Sequence, residues 1–115
     1  MANGTIKNNG LNSHSIREYW NANNNELTVY RLGWLRLIRF WNIPSEVLSQ
    51  ITLDTIDIPV SMTINSSFVS DRGYESIADS HATMVNIGGT GKITAYNQQY
   101  NLQGYMIYLA NEYSL

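Results

Sequence analysis

The segment NIGGTGKITAY (86–96) is the first place where the sequence could bind a phosphate group. It contains the glycine-lysine pair 91–92, which ends a phosphate-binding loop of the form G-x-x-x-x-G-K-[ST]. The first glycine of that loop would fall on Asn86, and Ile93 replaces the hydroxyl residue after the lysine, so two fixed positions are missing. Because residues alternate between apolar and polar on both sides of the glycines, the segment predicts a hairpin instead. Three glycines would supply the positive φ angles of its turn: Gly88, Gly89 and Gly91.

Catalytic and metal-binding patterns are the next candidates. The run DSH (79–81) has the residue types of a serine triad, but triads are assembled by folding, and neighbours in a strand point to opposite faces. Asp54 and Asp57 are three residues apart, which on a strand separates them and makes them a poor acid-base pair, although a carboxylate pair from distant loops stays open. His14 and His81 lack the spacing of a metal site. We therefore expect no catalytic residue, no enzymatic activity, no metal and no cofactor.

Composition narrows the choice of partners. The chain has 115 residues, the size of one domain, and contains no cysteine. Its net charge is -2 and only 14% of its residues are charged, which argues against a nucleic-acid partner. No basic segment followed by an apolar run begins the sequence, and no stretch is long enough to span a bilayer, so we predict no secretory signal and no membrane insertion.

Three arginines lie among aromatic residues in the segment 30–41, a mixture found in proteins that bind single-stranded nucleic acid. In a strand, Arg31 and Arg39 would share a face with leucines while Arg36 lies on the opposite face, so no continuous basic groove is expected. We predict that these arginines reach out of a packed strand or pair across subunits.

The first 26 residues are rich in asparagine and glycine. Within them, SIREYW places Ile16, Tyr19 and Trp20 at the i, i+3, i+4 spacing of one or two helical turns. We interpret residues 1–26 as an N-terminal arm that packs through Trp20, and residues 27–115 as the main domain.

From residue 27 onward the pattern is typical of strands. Apolar residues occupy both faces of the segment 34–43, and Gly33 before it permits a bend or bulge. A strand that is apolar on both faces belongs in the middle of a sandwich or at a contact between subunits.

Further strands are predicted at ITLDTIDIP (51–59), at VSMTI (60–64), with Val60 pointing inward, and at the closing GYMIYLANEY (104–113). In the closing strand, alternate residues lie on opposite faces: one face carries Tyr105, Ile107 and Leu109, and the other carries Met106, Tyr108 and Ala110. The fold class is all-β, an antiparallel β-sandwich or a jelly-roll-like barrel.

Tyrosines and neutral amides are concentrated in the C-terminal half of the chain, and this mixture suits saccharides. Aromatic strands are common in sandwiches, so simple strand formation stays open as an explanation. We predict that Trp41 stacks on a sugar ring, that Asp71 and Glu75 accept hydroxyl hydrogen bonds, and that Arg72 binds an anionic group. The predicted ligand-binding set is Trp41, Asp71, Arg72, Tyr74, Glu75 and His81.

The order of the segments LTVYRLGW, ATMVNI, GTGKITAY and GYMIYLA resembles the C-terminal head of receptor-binding proteins and tail fibres from siphophages of Gram-positive hosts, over residues 20–110. The sequence departs from that pattern after its ITL segment, where DTIDIPVSMTI stands. The resemblance implies a homotrimeric head that joins other phage tail proteins, is assembled in the host cytoplasm, becomes part of the virion, and binds a host cell-wall saccharide near subunit boundaries.

These observations lead to three hypotheses. The first is a non-catalytic receptor-binding module of a phage tail that adheres to a host saccharide. The second is a small structural virion protein without a ligand of its own. The third is a nucleic-acid-binding module that uses Arg31, Arg36 and Arg39.

Overall fold

A computed structural model describes residues 4–6, 15–60, 63–71, 80–95 and 101–114, with the backbone alone for residues 5, 63–71 and 80–83. These residues form an antiparallel sheet, which confirms the all-β prediction. The strands are β1 (Thr5–Ile6), β2 (Ile16–Ala22), β3 (Asn25–Pro44), β4 (Thr63–Asp71), β5 (Ser80–Gly88), β6 (Ile93–Ala95) and β7 (Asn101–Ser114). A short helix, α1 (Ser45–Leu48), and a 3-10 helix (Thr55–Asp57) follow β3.

The strand order across the sheet is β1-β2-β3-β7-β4-β5-β6. The outermost strands, β1 and β6, have two and three residues. Packing of this sheet into two layers, and the trimer, stay predictions. No helix in the described part of the chain is long and apolar enough to cross a membrane.

β3 turns back on itself around Gly33. An extended segment of its 20 residues would measure about 66 Å, while the longest dimension of the molecule is 40 Å. Gly33 has a φ angle of 64°, and the register with β7 shifts between Gly33 and Leu35. The two ends of β3 meet where Asn42 Nδ2 donates to Asn25 Oδ1 over 3.3 Å. The bend predicted at Gly33 is confirmed.

The helical interpretation of SIREYW is wrong, because residues 16–22 form β2. The register with β3 shifts between Glu18 and Trp20, as at a β-bulge, so that the adjacent side chains Tyr19 and Trp20 are both buried. This bulge produces a spacing that resembles one face of a helix. The predicted contact of Trp20 with the core is confirmed, and the predicted boundary after residue 26 falls within β3.

The strand predicted at 51–59 is also wrong. Only isolated bridges occur there, at Thr52 and Pro59, and the 3-10 helix lies between them. This turn carries the side chain of Asp57 into the core, where it is fully buried. Val60 was predicted to point inward but is 61% exposed, because the buried residue of this segment is its neighbour Pro59.

The alternation predicted for the closing strand is confirmed, since Tyr105, Ile107 and Leu109 are exposed and the residues between them are buried. The hairpin predicted at 86–96 is confirmed as the β5–β6 pair. Of its three glycines, Gly91 is the one with a positive φ angle. The apolar core is formed by residues from β2, β3, β5, β6, β7 and the segment after β3: Tyr19, Trp20, Ala22, Leu27, Val29, Ile38, Phe40, Ile43, Val47, Leu48, Ile51, Leu53, Val85, Ile87, Ile93, Ala95, Leu102, Met106, Tyr108 and Ala110.

Candidate functional site

A polar cluster is buried in the core around Asp57. Its carboxylate accepts two hydrogen bonds from Arg31, Nε to Oδ1 at 2.8 Å and Nη2 to Oδ2 at 2.7 Å. Arg36 Nε donates to Oδ1 over 3.0 Å and Tyr19 Oη to Oδ2 over 2.6 Å. The prediction that Arg31 and Arg36 reach outward is wrong, because they meet their counter-charge inside the protein.

Arg36 and Tyr108 tie the same cluster to the backbone. Arg36 donates to four carbonyl oxygens, those of Gly33, Leu35, Ile56 and Glu112. Tyr108 Oη donates to the backbone carbonyl of Asp57 over 2.7 Å. In the described part of the chain, every buried polar side-chain atom has a hydrogen-bond partner. The cluster is therefore a closed structural element that leaves no room for a ligand.

Burial and the negative charge of Asp57 raise the pKa of Tyr19 and the pKa of Tyr108 above the ordinary value of a phenol. Both phenols therefore stay protonated at neutral pH and serve as hydrogen-bond donors. Burial lowers the pKa of Arg31, but the hydrogen bonds and charge of Asp57 outweigh this effect, so that the net pKa is raised.

Beside the cluster lies a small cleft of about 250 Å³. Asp54 is one of its lining residues. The Oδ2 atom of Asp54 accepts a hydrogen bond from Arg17 Nε over 2.8 Å, and its backbone N–H donates to Tyr19 Oη over 2.8 Å. The expectation that Asp54 and Asp57 lie on opposite strand faces is wrong, since both direct their carboxylates at arginines of β2 and β3. The lining residues are Ile6, Arg17, Tyr19, Gln50, Ile51, Thr52 and Asp54.

The sheet brings three of the predicted ligand-binding residues toward one end. Asn101 is opposite Pro44 in β3 and opposite Asp71 in β4, and Asp71 is opposite Ser80 at the start of β5. His81 follows Ser80 in β5. The backbone of Asp71 and that of His81 therefore lie across the sheet from the end of β3 that carries Trp41. Arg72, Tyr74 and Glu75 lie outside the described residues.

Trp41 is 37% exposed and has charged neighbours. The guanidinium of Arg39 lies 4.7 Å from the centroid of its ring, a cation-π contact. Arg39 also forms an ion pair with Glu26, and it is opposite Tyr105, an exposed residue of β7. Glu26 was missed by the sequence analysis because it comes 13 residues before Arg39 and meets it only through the turn of β3.

A row of asparagine side chains adjoins Trp41. Asn101 Nδ2 donates to Asn42 Oδ1 over 3.1 Å, and Asn42 in turn donates to Asn25. We call this region the Trp41 end, and it consists of Asn25, Glu26, Arg39, Trp41, Asn42, Asn101 and Tyr105. It combines aromatic rings, an ion pair and amides that both donate and accept, which is the chemistry that recognises hydroxyl-rich ligands.

Within the described ranges, no group of three or more histidine, aspartate or glutamate residues is placed to hold a metal ion. No protein-family model, curated protein or solved structure matches this chain. The Trp41 end and the exposed surface of the sheet are the features of the described residues that bear on function.

Proposed function

We propose that this protein is a non-catalytic receptor-binding module of a phage tail, and that it recognises a saccharide on the surface of the host cell. The observation that carries the proposal is the partly exposed side chain of Trp41, with Arg39 against its ring and with the next residue, Asn42, hydrogen-bonded to Asn25 and Asn101. A sugar presents an apolar face of C–H groups and a rim of hydroxyl groups. An aromatic ring suits the face, and amides with an ion pair suit the rim.

We assign the remaining ligand contacts to the segment between β4 and β5. Asp71 ends β4 and His81 is the second residue of β5, and Asn101 is opposite Asp71 in the sheet. In this proposal Asp71 and Glu75 accept hydroxyl hydrogen bonds, Arg72 binds a wall phosphate, and Tyr74 and His81 complete the site. Contact at several copies of the site, in the proposed homotrimer, would offset weak binding at each one.

A structural virion protein without a ligand is the second candidate, and the exposed apolar surface of β3 and β7 supports it. The nucleic-acid hypothesis loses support, because Arg31 and Arg36 are buried against Asp57. It would depend on Arg39, which is paired with Glu26.

The test is binding of the purified protein to an array of wall polysaccharides from Gram-positive bacteria, with the Trp41→Ala variant alongside. Loss of the stacking ring should weaken binding about tenfold or more. The matched control is Trp34→Ala, because Trp34 is 52% exposed and lies next to the bend of β3 at Gly33, against Tyr113. Undiminished binding by Trp41→Ala would remove the proposed site, and failure of the wild type to bind any polysaccharide would favour the structural candidate. Release of new reducing ends would contradict the non-catalytic role.

A further inference from the structure

We infer that the outward face of the β3–β7 pair is an interface between copies of this chain. The outer β3–β7 face is defined by Leu35 and Leu37 of β3, Ile107 and Leu109 of β7, and the adjoining Val60. It deepens the proposed homotrimer by naming the surface through which copies of the chain associate.

The four strand residues are direct neighbours across the sheet. Leu35 is opposite Leu109, and Leu37 is opposite Ile107. Ile107 is 68% exposed and Leu109 is 54% exposed. They cannot turn inward, because the residues that alternate with them, including Met106 and Tyr108, already fill the core.

The face continues beyond these strands. The Val60 N–H donates to the Leu109 carbonyl over 2.8 Å, which places the exposed Val60 beside Leu109. In the other direction along β7, Tyr105 lies two residues before Ile107 and is also exposed. The result is an apolar surface on one side of the β3–β7 pair.

The size of this surface fits a stable contact between proteins. At about 200 Å² or less for each of its six large side chains, roughly half exposed, it offers roughly 500 Å² of apolar area. A standard interface buries about 800 Å² on each partner, with an apolar core and a polar rim, and the largest apolar patch on a monomer, about 300–600 Å², is often functional. The outer β3–β7 face is therefore large enough to be the centre of an interface.

The charge pattern indicates which partner covers it. Arg39, the charged residue that follows the leucines along β3, is already paired with Glu26, so two copies can approach without repulsion between like charges. An anionic membrane would instead require a rim of unpaired basic side chains. In a two-fold dimer this patch would meet the same patch of the other copy, and in the proposed homotrimer it would meet an adjoining surface of the neighbouring copy.

The outermost described strands, β1 and β6, have two and three residues, and short edge strands are one means by which sheets avoid the addition of a strand from another chain. A second copy of this chain, in contact with the outer β3–β7 face, is the occupant that we assign.

Sedimentation equilibrium on the intact chain at micromolar concentration tests the assignment. The wild type should show the mass of two or three chains, and Ile107→Glu should weaken association at least about tenfold. The matched control is Ile6→Glu, which makes the same change at an exposed isoleucine of β1 and should leave the mass unchanged. Leu109→Gln replaces Ile107→Glu if circular dichroism shows that the latter variant is unfolded.

A wild type with the mass of one chain would overturn the inference, as would a folded Ile107→Glu protein that stays associated. Glycan binding measured on the same samples separates the two proposals. A monomer that binds polysaccharide overturns the interface alone, and an assembled protein that binds none overturns the saccharide function alone.

Discussion

Arg31 and Asp57 form an ion pair with two hydrogen bonds inside the core, at 2.8 Å and 2.7 Å. Their side chains are 4% and 0% exposed. Arg36 shares the same carboxylate, so that one buried acidic group faces two guanidinium groups that are shielded from water. Removal of this acid would leave the buried charge of Arg36 without its counter-charge and Arg31 with the more distant Asp54 at 3.7 Å, a larger penalty than loss of a surface ion pair.

Asp57→Asn should therefore destabilise the protein by about 3–5 kcal/mol, the range for breaking a buried ion pair. Natural domains are stable by only about 5–15 kcal/mol, so this variant should be close to unfolding. The measurement is the urea midpoint followed by tryptophan fluorescence. Asp54→Asn is the control, because Asp54 is 37% exposed and its pairs should contribute about 1 kcal/mol or less. Equal losses in the two variants would show that burial of the Asp57 cluster has no special role.

The two buried phenols predict a loss of stability at alkaline pH. The pKa of Tyr19 and that of Tyr108 are raised by burial and by Asp57, so the folded state holds these protons more tightly than the unfolded chain does. Their contribution is fully present below the unfolded pKa of about 10 and is lost as the pH rises above it. Each phenol should add about 1.4 kcal/mol per pH unit to this loss.

Urea midpoints measured on both sides of that pH check the prediction. Tyr19→Phe and Tyr108→Phe should each reduce the alkaline slope, while lowering stability at neutral pH by about 1–3 kcal/mol through the lost hydrogen bond. A slope that is the same in the wild type and in both variants would contradict the assignment.

Local pattern was sufficient to predict much of the fold. Strict alternation in the closing strand predicted the two sets of residues on its opposite faces, and the glycines 88, 89 and 91 predicted a hairpin. Local pattern failed where a bulge or a turn changed the period. Tyr19 and Trp20 are adjacent in the sequence and both buried because the register shifts between Glu18 and Trp20. In the segment 51–59, a 3-10 helix replaces the predicted strand and places Asp57 in the core.

The charged cluster could not be predicted from spacing, because Arg31 and Asp57 are separated by 26 residues. One signal was available: Arg31 and Arg36 interrupt a strand that is otherwise apolar, which indicates that a counter-charge is needed. At the candidate site, Trp41 was chosen for its chemistry. Its relation to Asp71 and to the amides depends on the pairing of three strands, β3, β7 and β4, which a single sequence does not reveal.

Gly91 predicts a local loss of stability when a side chain is added. A Cβ atom there would lie 2.8 Å from the Leu53 carbonyl oxygen, and the φ angle of Gly91 is 88°. Gly91→Ala should cost about 1–3 kcal/mol. Gly88→Ala in the same hairpin is the control, because its Cβ would meet only the Lys92 carbonyl oxygen at 3.9 Å, and it should be neutral or slightly stabilising. Thermal unfolding of the two variants compares them, and similar melting temperatures would refute this account of the turn.

Arg36 joins three segments that are distant in the sequence. Its guanidinium donates to the carbonyls of Gly33, Ile56 and Glu112 as well as to the carboxylate of Asp57. Arg36→Met would leave those oxygen atoms without their donor, and each buried acceptor without a partner costs about 1–3 kcal/mol.

Arg31→Met is the matched comparison, because Arg31 is also buried and its ion pairs are with Asp54 and Asp57. Arg36→Met should therefore be less stable than Arg31→Met by about 2 kcal/mol or more. Hydrogen exchange locates the effect. The Arg36→Met variant should lose amide protection at the last residues of β7, where Glu112 and the Gly33–Ser114 pair lie, whereas Arg31→Met should keep it. Equal protection at that end in the two variants would show that Arg36 does not anchor the C-terminal strand.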